Sequence, residues 1–252
     1  EGSTVEAENV ILDPTRPYRN TAGGDELRDS LCRESVTYTV RRNNIEVAAS
    51  HRFCNAAPVT IAIYYGMQSM FEGETHVLTP GGAYTDWTEV AKASTFTKQE
   101  HPLFRRYVEK NRQGYQSTWL LPDGLGDHAL LDGQDDIFIY APYGKSYHKL
   151  IGNKRMENGE KTCWRGVYTW FETPVADDAD LLCYEGSAGG HTAVFIDCKR
   201  ACKRTLALPG YLDLRHFGAA EQNSGIRISA AGRNKLKIKA DAPGSCVLLL
   251  RE

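Results

Sequence analysis

The chain has 252 residues, of which 41% are hydrophobic and 25% charged, and its formal net charge is −2 at neutral pH. That balance describes a globular protein able to bury a large core, and all-β sandwiches of this length often form one domain. From that overall balance no field strong enough to gather phosphates or anionic lipid and no nucleic-acid partner is expected, and there is no run of about 18 apolar residues that could span a bilayer.

The chain starts at Glu1 rather than at methionine, which suggests a processed or excised fragment. Residues 1–28 pass through Pro14 and Pro17 to Gly24 and are expected as an N-terminal loop or linker, with residues 29–252 forming a single β-sandwich domain. The most informative stretch follows. Val36, Tyr38 and Val40 share one face of a strand, and Ile45, Val47, Ala49, His51 and Phe53 share one face of the next. Asn43 and Asn44 supply the residue type that tolerates the positive φ of a tight hairpin. The third segment, from Val59 to Tyr65, is apolar on both parities, as expected of a strand covered on both faces.

Turn chemistry at Thr79-Pro80-Gly81-Gly82 separates this region from the one expected helix, residues 98–112. There Pro102 falls near the first turn, and Leu103, Tyr107 and Val108 form an apolar stripe. Strands are expected again over 115–121, 136–140, 146–151, 163–171, 180–185, 191–197, 203–208, 211–214, 225–229, 234–239 and 246–251. Turn signals such as Asp123-Gly124, Asp132-Gly133, Asn158-Gly159 and Gly189-Gly190 punctuate them. Many short strands with almost no helix imply an all-β fold, a large antiparallel sandwich with at most one or two short helices.

The odd number of cysteines leaves at least one of Cys32, Cys54, Cys163, Cys183, Cys198, Cys202 and Cys246 unpaired, and most sit inside strand patterns where a free thiol acts as a small buried hydrophobe. Cys198 and Cys202 have the spacing of half a zinc site. A structural zinc needs four ligands, and no second pair is visible, so neither a metal nor a cofactor is expected. Gly144-Lys145-Ser146 ends like a phosphate-binding loop but lacks its first glycine, since position 139 is Ile. Gly186-Ser187-Ala188-Gly189 lacks the glycine that a nucleophile elbow places two before the serine.

General acid–base chemistry needs two groups flanking the reacting atom. His51 shares parity with Ile45, Val47 and Phe53 and reads as a partly buried histidine with a satisfied hydrogen bond. His76 and His128 instead lie in polar, glycine-bearing connections, the first near Glu72, Glu74 and Asp86, the second near Asp123, Asp127 and Asp132. Function concentrates on loops held by a rigid sheet, so His76 and His128 are the candidate catalytic residues. Trp87, Trp119, Asp86 and Asp127 are the candidate ligand contacts beside them. Trp164, Tyr168 and Trp170 share one parity, with Gly166 leaving a gap between them. This row fits a sugar platform or a sandwich core, and large aromatics are more often core.

The string IEVAASHRFCNAAPVTIAIYYGMQSMF, followed by many strands, resembles the β-supersandwich of galactose mutarotase-like proteins and of the β-domains of several polysaccharide lyases and glycoside hydrolases. Ser50-His51-Arg52-Phe53-Cys54-Asn55 is similar to the Asn-His-x-Tyr-Phe-Asn element of aldose epimerases, with Ser50 at its first position and Cys54 where Phe would stand. That family's second histidine and glutamate find no matching positions, so no catalytic role carries over. The resemblance implies a carbohydrate ligand and a secreted, periplasmic or cell-surface location. A carbohydrate-binding or accessory β-domain is the leading expectation. The alternatives are an epimerase, lyase or hydrolase using a His/carboxylate pair, and a structural domain flanking a catalytic one. Oligomeric state is not legible.

Overall fold

The computed structural model describes residues 2–13, 20–21, 24–25, 30–70, 73–79, 82, 84–92, 96–97, 105–121, 136–141, 145–222 and 225–250. Its strands are, in chain order, β1 (Ser3–Leu12), β2 (Asn20–Thr21), β3 (Gly24–Asp25), β4 (Ser30–Arg41), β5 (Asn44–Phe53), β6 (Val59–Met70), β7 (His76–Leu78), β8 (Thr88–Glu89), β9 (Phe96–Thr97), β10 (Arg106–Asn111) and β11 (Gly114–Leu120). They continue with β12 (Asp136–Ala141), β13 (Lys145–Met156), β14 (Lys161–Phe171), β15 (Ala176–Asp177), β16 (Leu181–Ala188), β17 (His191–Cys198), β18 (Cys202–Ala207), β19 (Phe217–Gln222), β20 (Ile226–Ala230), β21 (Lys235–Ala240) and β22 (Gly244–Leu250). Helical backbone among the described residues is confined to 3-10 turns, at Val90–Lys92 and Leu214–His216.

These strands build an all-β sandwich of antiparallel sheets, as the alternation predicts. Eight strands form a central sheet in the order β1-β4-β5-β14-β11-β10-β7-β8; four form a second sheet, β6-β13-β12-β9; five form a third, β15-β16-β17-β22-β19; three form a fourth, β18-β21-β20. Residue alternation assigns each side chain to a layer. On one face of the central sheet Val36, Val47, Ala49, Leu120 and Trp164 pack against Met67, Leu150 and Ile151 of the four-stranded sheet. From the other face Leu78, Val108, Trp119 and Val167 meet Leu182, Tyr184, Phe195 and Val247 of the five-stranded sheet. The far side of that sheet, with Leu181, Cys183, Val194, Ile196, Cys246 and Leu248, packs on Leu206, Ile226, Leu236 and Ile238 of the three-stranded one. The result is four layers in series.

A charged pair crosses the interface between the central and five-stranded sheets. The guanidinium of Arg106 forks onto the carboxylate of Asp197, with side-chain exposures of 4% and 1%. It also donates to the Tyr184 hydroxyl at 2.9 Å and to Ser245, while Tyr184 donates to Ser117 at 2.6 Å. Beside it run four stacked rings, Tyr115, Phe171, Tyr184 and Phe195, with successive centroids 4.8, 4.3 and 4.8 Å apart. Toward the four-stranded sheet the buried Glu109 accepts hydrogen bonds from Ser69 and from Ser146 (2.5 Å), and burial raises its pKa.

Five expectations need correction. Residues 3–12 are not a linker but the edge strand β1, paired along its length with β4. They read as linker because nearly every side chain is exposed and the alternation carries little apolar contrast. The described end of the expected helix is strand β10. Tyr107 and Val108 are both fully buried, but in different layers, and a two-sided strand mimics a helical stripe. Strand β6 is covered on one face only, since Ile63 and Tyr65 are 52% and 39% exposed. The segment 211–214 leads into a 3-10 turn instead of forming a strand. In the β4–β5 hairpin the positive φ, 48°, belongs to Arg42, while the Asn43 side chain donates to the Trp170 carbonyl at 2.7 Å. All seven cysteines are free thiols, and burial pushes that of Cys32 up to about 11.

Replacing Asp197 with Ala should cost about 3–5 kcal/mol, because it leaves the Arg106 charge buried without its partner. Urea unfolding measures this directly. A loss under about 1 kcal/mol would show that the pair is not buried between the sheets.

Candidate functional site

The residues singled out in the sequence separate in space. His76 opens β7, with 30% of its side chain exposed and its Nε2 3.8 Å from the Glu74 carboxylate. Glu89 stands directly opposite it on β8. Ligand atoms of Glu74, His76 and Glu89 lie within 4.8 Å of one another, which is the geometry of a three-ligand cation site. The Lys92 ammonium, however, sits 2.8 Å from Glu89 and supplies a positive charge already.

Next to this corner, Trp87 donates from Nε1 to Asp177 at 3.0 Å. Asp177 also accepts from Tyr115 (3.0 Å), Lys110 (3.1 Å) and Lys199 (2.8 Å). Burial alone would raise its pKa; the bonds from Lys199, Trp87 and Lys110 outweigh that and hold it at about 2. The Lys110 ammonium lies 4.0 Å from the centroid of the Trp87 ring, and that of Lys199 lies 5.4 Å from it. Asp86, largely exposed, is 3.6 Å from Lys199. The structure therefore brings His76, Asp86 and Trp87 to one corner, but it commits the Trp87 ring and indole N–H to lysines and a carboxylate. Trp119 is not a ligand contact: it is 2% exposed and meets Phe195 edge-on at 5.4 Å, inside the core. Asp127 and His128 lie outside the described residues.

A different site emerges where the four-stranded sheet stops short of the central one. Its edge strand β6 packs over β14, β5 and Val36 of β4, and it leaves Tyr38 of β4 and the same face of β1 open. The resulting groove has a volume of about 220 Å³, and its lining includes Asn9, Glu34, Tyr38, Tyr64, Gln68 and Tyr168. Register explains the convergence: Tyr38 faces Val5 and Val47, and Glu34 faces Asn9 and His51. One Glu34 oxygen accepts from Asn9 at 2.9 Å, and the other lies 3.0 Å from His51 Nε2. The second ring nitrogen of His51 meets Thr162 Oγ1 at 3.2 Å. The Glu34 carboxylate accepts from Nε2–H of His51, and the Thr162 hydroxyl faces Nδ1. His51 is buried, 5% exposed, as its parity suggested, and both its nitrogens, rather than one, are engaged.

The tyrosines supply the donors. Trp164 Nε1 donates to the Tyr64 hydroxyl at 2.9 Å, and the backbone N–H of Gln68 donates to the Tyr168 hydroxyl at 2.9 Å. Both hydroxyls retain a proton to give. Burial raises the pKa of Tyr64, and it pushes that of Tyr168 up to about 12, so at neutral pH they act as donors and not as bases. Tyr168 stacks on Trp170 with centroids 5.8 Å apart, and Trp170 opens onto a second depression of about 780 Å³ lined by Asn43, Met70, Gln113 and Glu172. Tyr38, Trp170 and Met70 are 39%, 38% and 59% exposed. The row Trp164, Tyr168 and Trp170 thus runs from core to surface: Trp164 is 8% exposed, and the gap at Gly166 is filled by Met67, whose sulfur would lie 2.2 Å from a Cβ there.

No protein-family model and no curated protein matches this chain significantly. Tyr38, Tyr64, Glu34 and Asn9 do not stand out as a group in the sequence; the fold brings them together. The turn at Arg42-Asn43 was the available signal, because that turn alone sets Glu34 opposite His51.

Two measurements check this geometry. Trp164→Ala should destabilise the fold by about 3–5 kcal/mol, as a core position does; a near-neutral result would place Trp164 at the surface. The depressed pKa of Asp177 contributes stability above about pH 4, which is lost as the pH falls toward about 2, an effect of roughly 1–2 kcal/mol given its partial exposure. Asp177→Asn should therefore flatten the acid limb of the stability curve. An unchanged acid limb would mean the lysines do not hold the carboxylate.

Proposed function

We propose that this protein is a carbohydrate-binding β-domain, with a glycan chain lying along Tyr38, Tyr168 and Trp170. The observation that carries this reading is an aromatic track, exposed at Tyr38 and Trp170 and half-buried at Tyr168, bordered by hydroxyls, side-chain amides and one carboxylate. Flat aromatic faces suit the apolar faces of pyranose rings, and the Tyr64 and Tyr168 hydroxyls, Asn9, Gln68 and Glu34 suit their hydroxyl groups. Turnover would need an acid and a base flanking the reacting carbon. Among the described residues the histidine beside the groove, His51, is buried with both nitrogens bonded to protein, and the tyrosines are held protonated. These features favour binding over epimerase or lyase chemistry. The resemblance to mutarotase-like and lyase β-domains agrees with a glycan ligand.

A panel of neutral and charged oligosaccharides titrated by calorimetry tests the reading. Trp170→Ala and Tyr38→Ala should each weaken binding by about tenfold or more, equivalent to about 1.4 kcal/mol, while their melting temperatures stay close to that of the parent. Trp170→Phe should retain most of the affinity. Failure of the parent to bind any glycan, or alanine variants that bind as the parent does, would contradict it.

A further inference from the structure

The three-stranded sheet closes the stack at the end opposite the groove, and its outer face is basic. Its inward residues, Leu206, Ile226, Leu236 and Ile238, belong to the core shared with the five-stranded sheet. The alternate residues point out, and they include Lys203, Arg227, Lys235, Lys237 and Lys239, all exposed. Lys203 and Arg227 both stand directly opposite Lys239, so three cations form a row across the strands. Like charges placed directly opposite one another destabilise a sheet. Asp241 offsets part of this, 2.7 Å from Arg227 and 3.6 Å from Lys239. A chain of net charge −2 has thus segregated a local excess of positive charge onto one surface.

We infer that this face docks on an anionic phospholipid surface. The cations spread in two dimensions, roughly 10 Å across three strands spaced about 4.8 Å apart and roughly 13 Å along β21. A flat array of this kind matches a plane of headgroups. Four of the five are lysines, compact point charges, and three of these, Lys203, Lys237 and Lys239, line a shallow depression of about 250 Å³. The outward residues of β18, β20 and β21 include no aromatic side chain on which a base could stack, so this face lacks the platform that single-stranded nucleic acid uses. The docking surface is independent of the aromatic groove and lies on a different layer, so either can fail without the other.

Vesicle co-sedimentation tests the inference, with phosphatidylcholine vesicles compared against vesicles in which about a third of the lipid is phosphatidylserine. At about 0.1 M salt the parent should pellet only with the anionic vesicles and be released as salt rises. Neutralising Lys235, Lys237 and Lys239 together to Gln should weaken binding on the order of a hundredfold, from about 1 kcal/mol per lysine. The triple variant Arg52→Gln, Arg112→Gln and Lys161→Gln, with the same change in charge at exposed positions elsewhere, should bind as the parent does. Unfolding profiles confirm that both variants remain folded. Equal pelleting with neutral vesicles, equal losses in both triple variants, or complete displacement by duplex DNA at matched charge would overturn the inference.

Discussion

Everything in this fold depends on the central sheet being buried on both faces. A strand between two layers must present apolar side chains on both parities at its middle, and β10, β11 and β14 do so through Tyr107 and Val108, Trp119 and Leu120, and Trp164 and Val167. The Arg106–Asp197 pair is the polar counterpart of that constraint. It places two charges where water cannot compensate them, and they are tolerated because Tyr184 and Ser245 accept from the guanidinium beside Asp197, with Ser117 in turn accepting from Tyr184. Such a network fixes how the central and five-stranded sheets sit on one another, since a slip of one residue along either strand would leave a buried charge alone.

The open groove follows from the same geometry. An eight-stranded sheet faces a four-stranded one, so one layer cannot cover the other. The uncovered side chains at the β1–β4 margin therefore have to be compatible with water, and the chain places tyrosines, an asparagine and a glutamate there. These are residues with apolar bodies or polar tips, suited to a surface that is open to solvent and available to a ligand.

Strand periodicity carried most of the fold in the sequence: the alternation at 36–53 and the regular turn signals gave the all-β class and the β4–β5 hairpin. Where periodicity misled, the cause was the number of layers. Tyr107 and Val108 serve two different cores and look like a helical stripe; Val59 to Tyr65 is apolar on both parities although only one face is covered. Edge strand β1 was illegible because an exposed strand needs little apolar contrast. The site was less legible. His76, Asp86 and Trp87 do converge, yet the groove is assembled from β1, β4, β5, β6 and β14, and only the pairing register brings Asn9, Glu34, Tyr38 and Tyr64 together. The basic outer face was hidden for a related reason, because a net charge sums over surfaces that the fold keeps apart.

The claim that the two-sided central sheet frames the molecule, with its β1–β4 margin left open, is tested most directly by native-state hydrogen exchange resolved by peptide or residue. Amides of β10, β11 and β14 should exchange only through global unfolding, with those of β16 and β17 close behind, while β1 and the Val59–Tyr65 half of β6 should exchange through local opening at much lower free energy. Uniform protection across β1, β6 and β11, or β11 exchanging as fast as β1, would contradict the account.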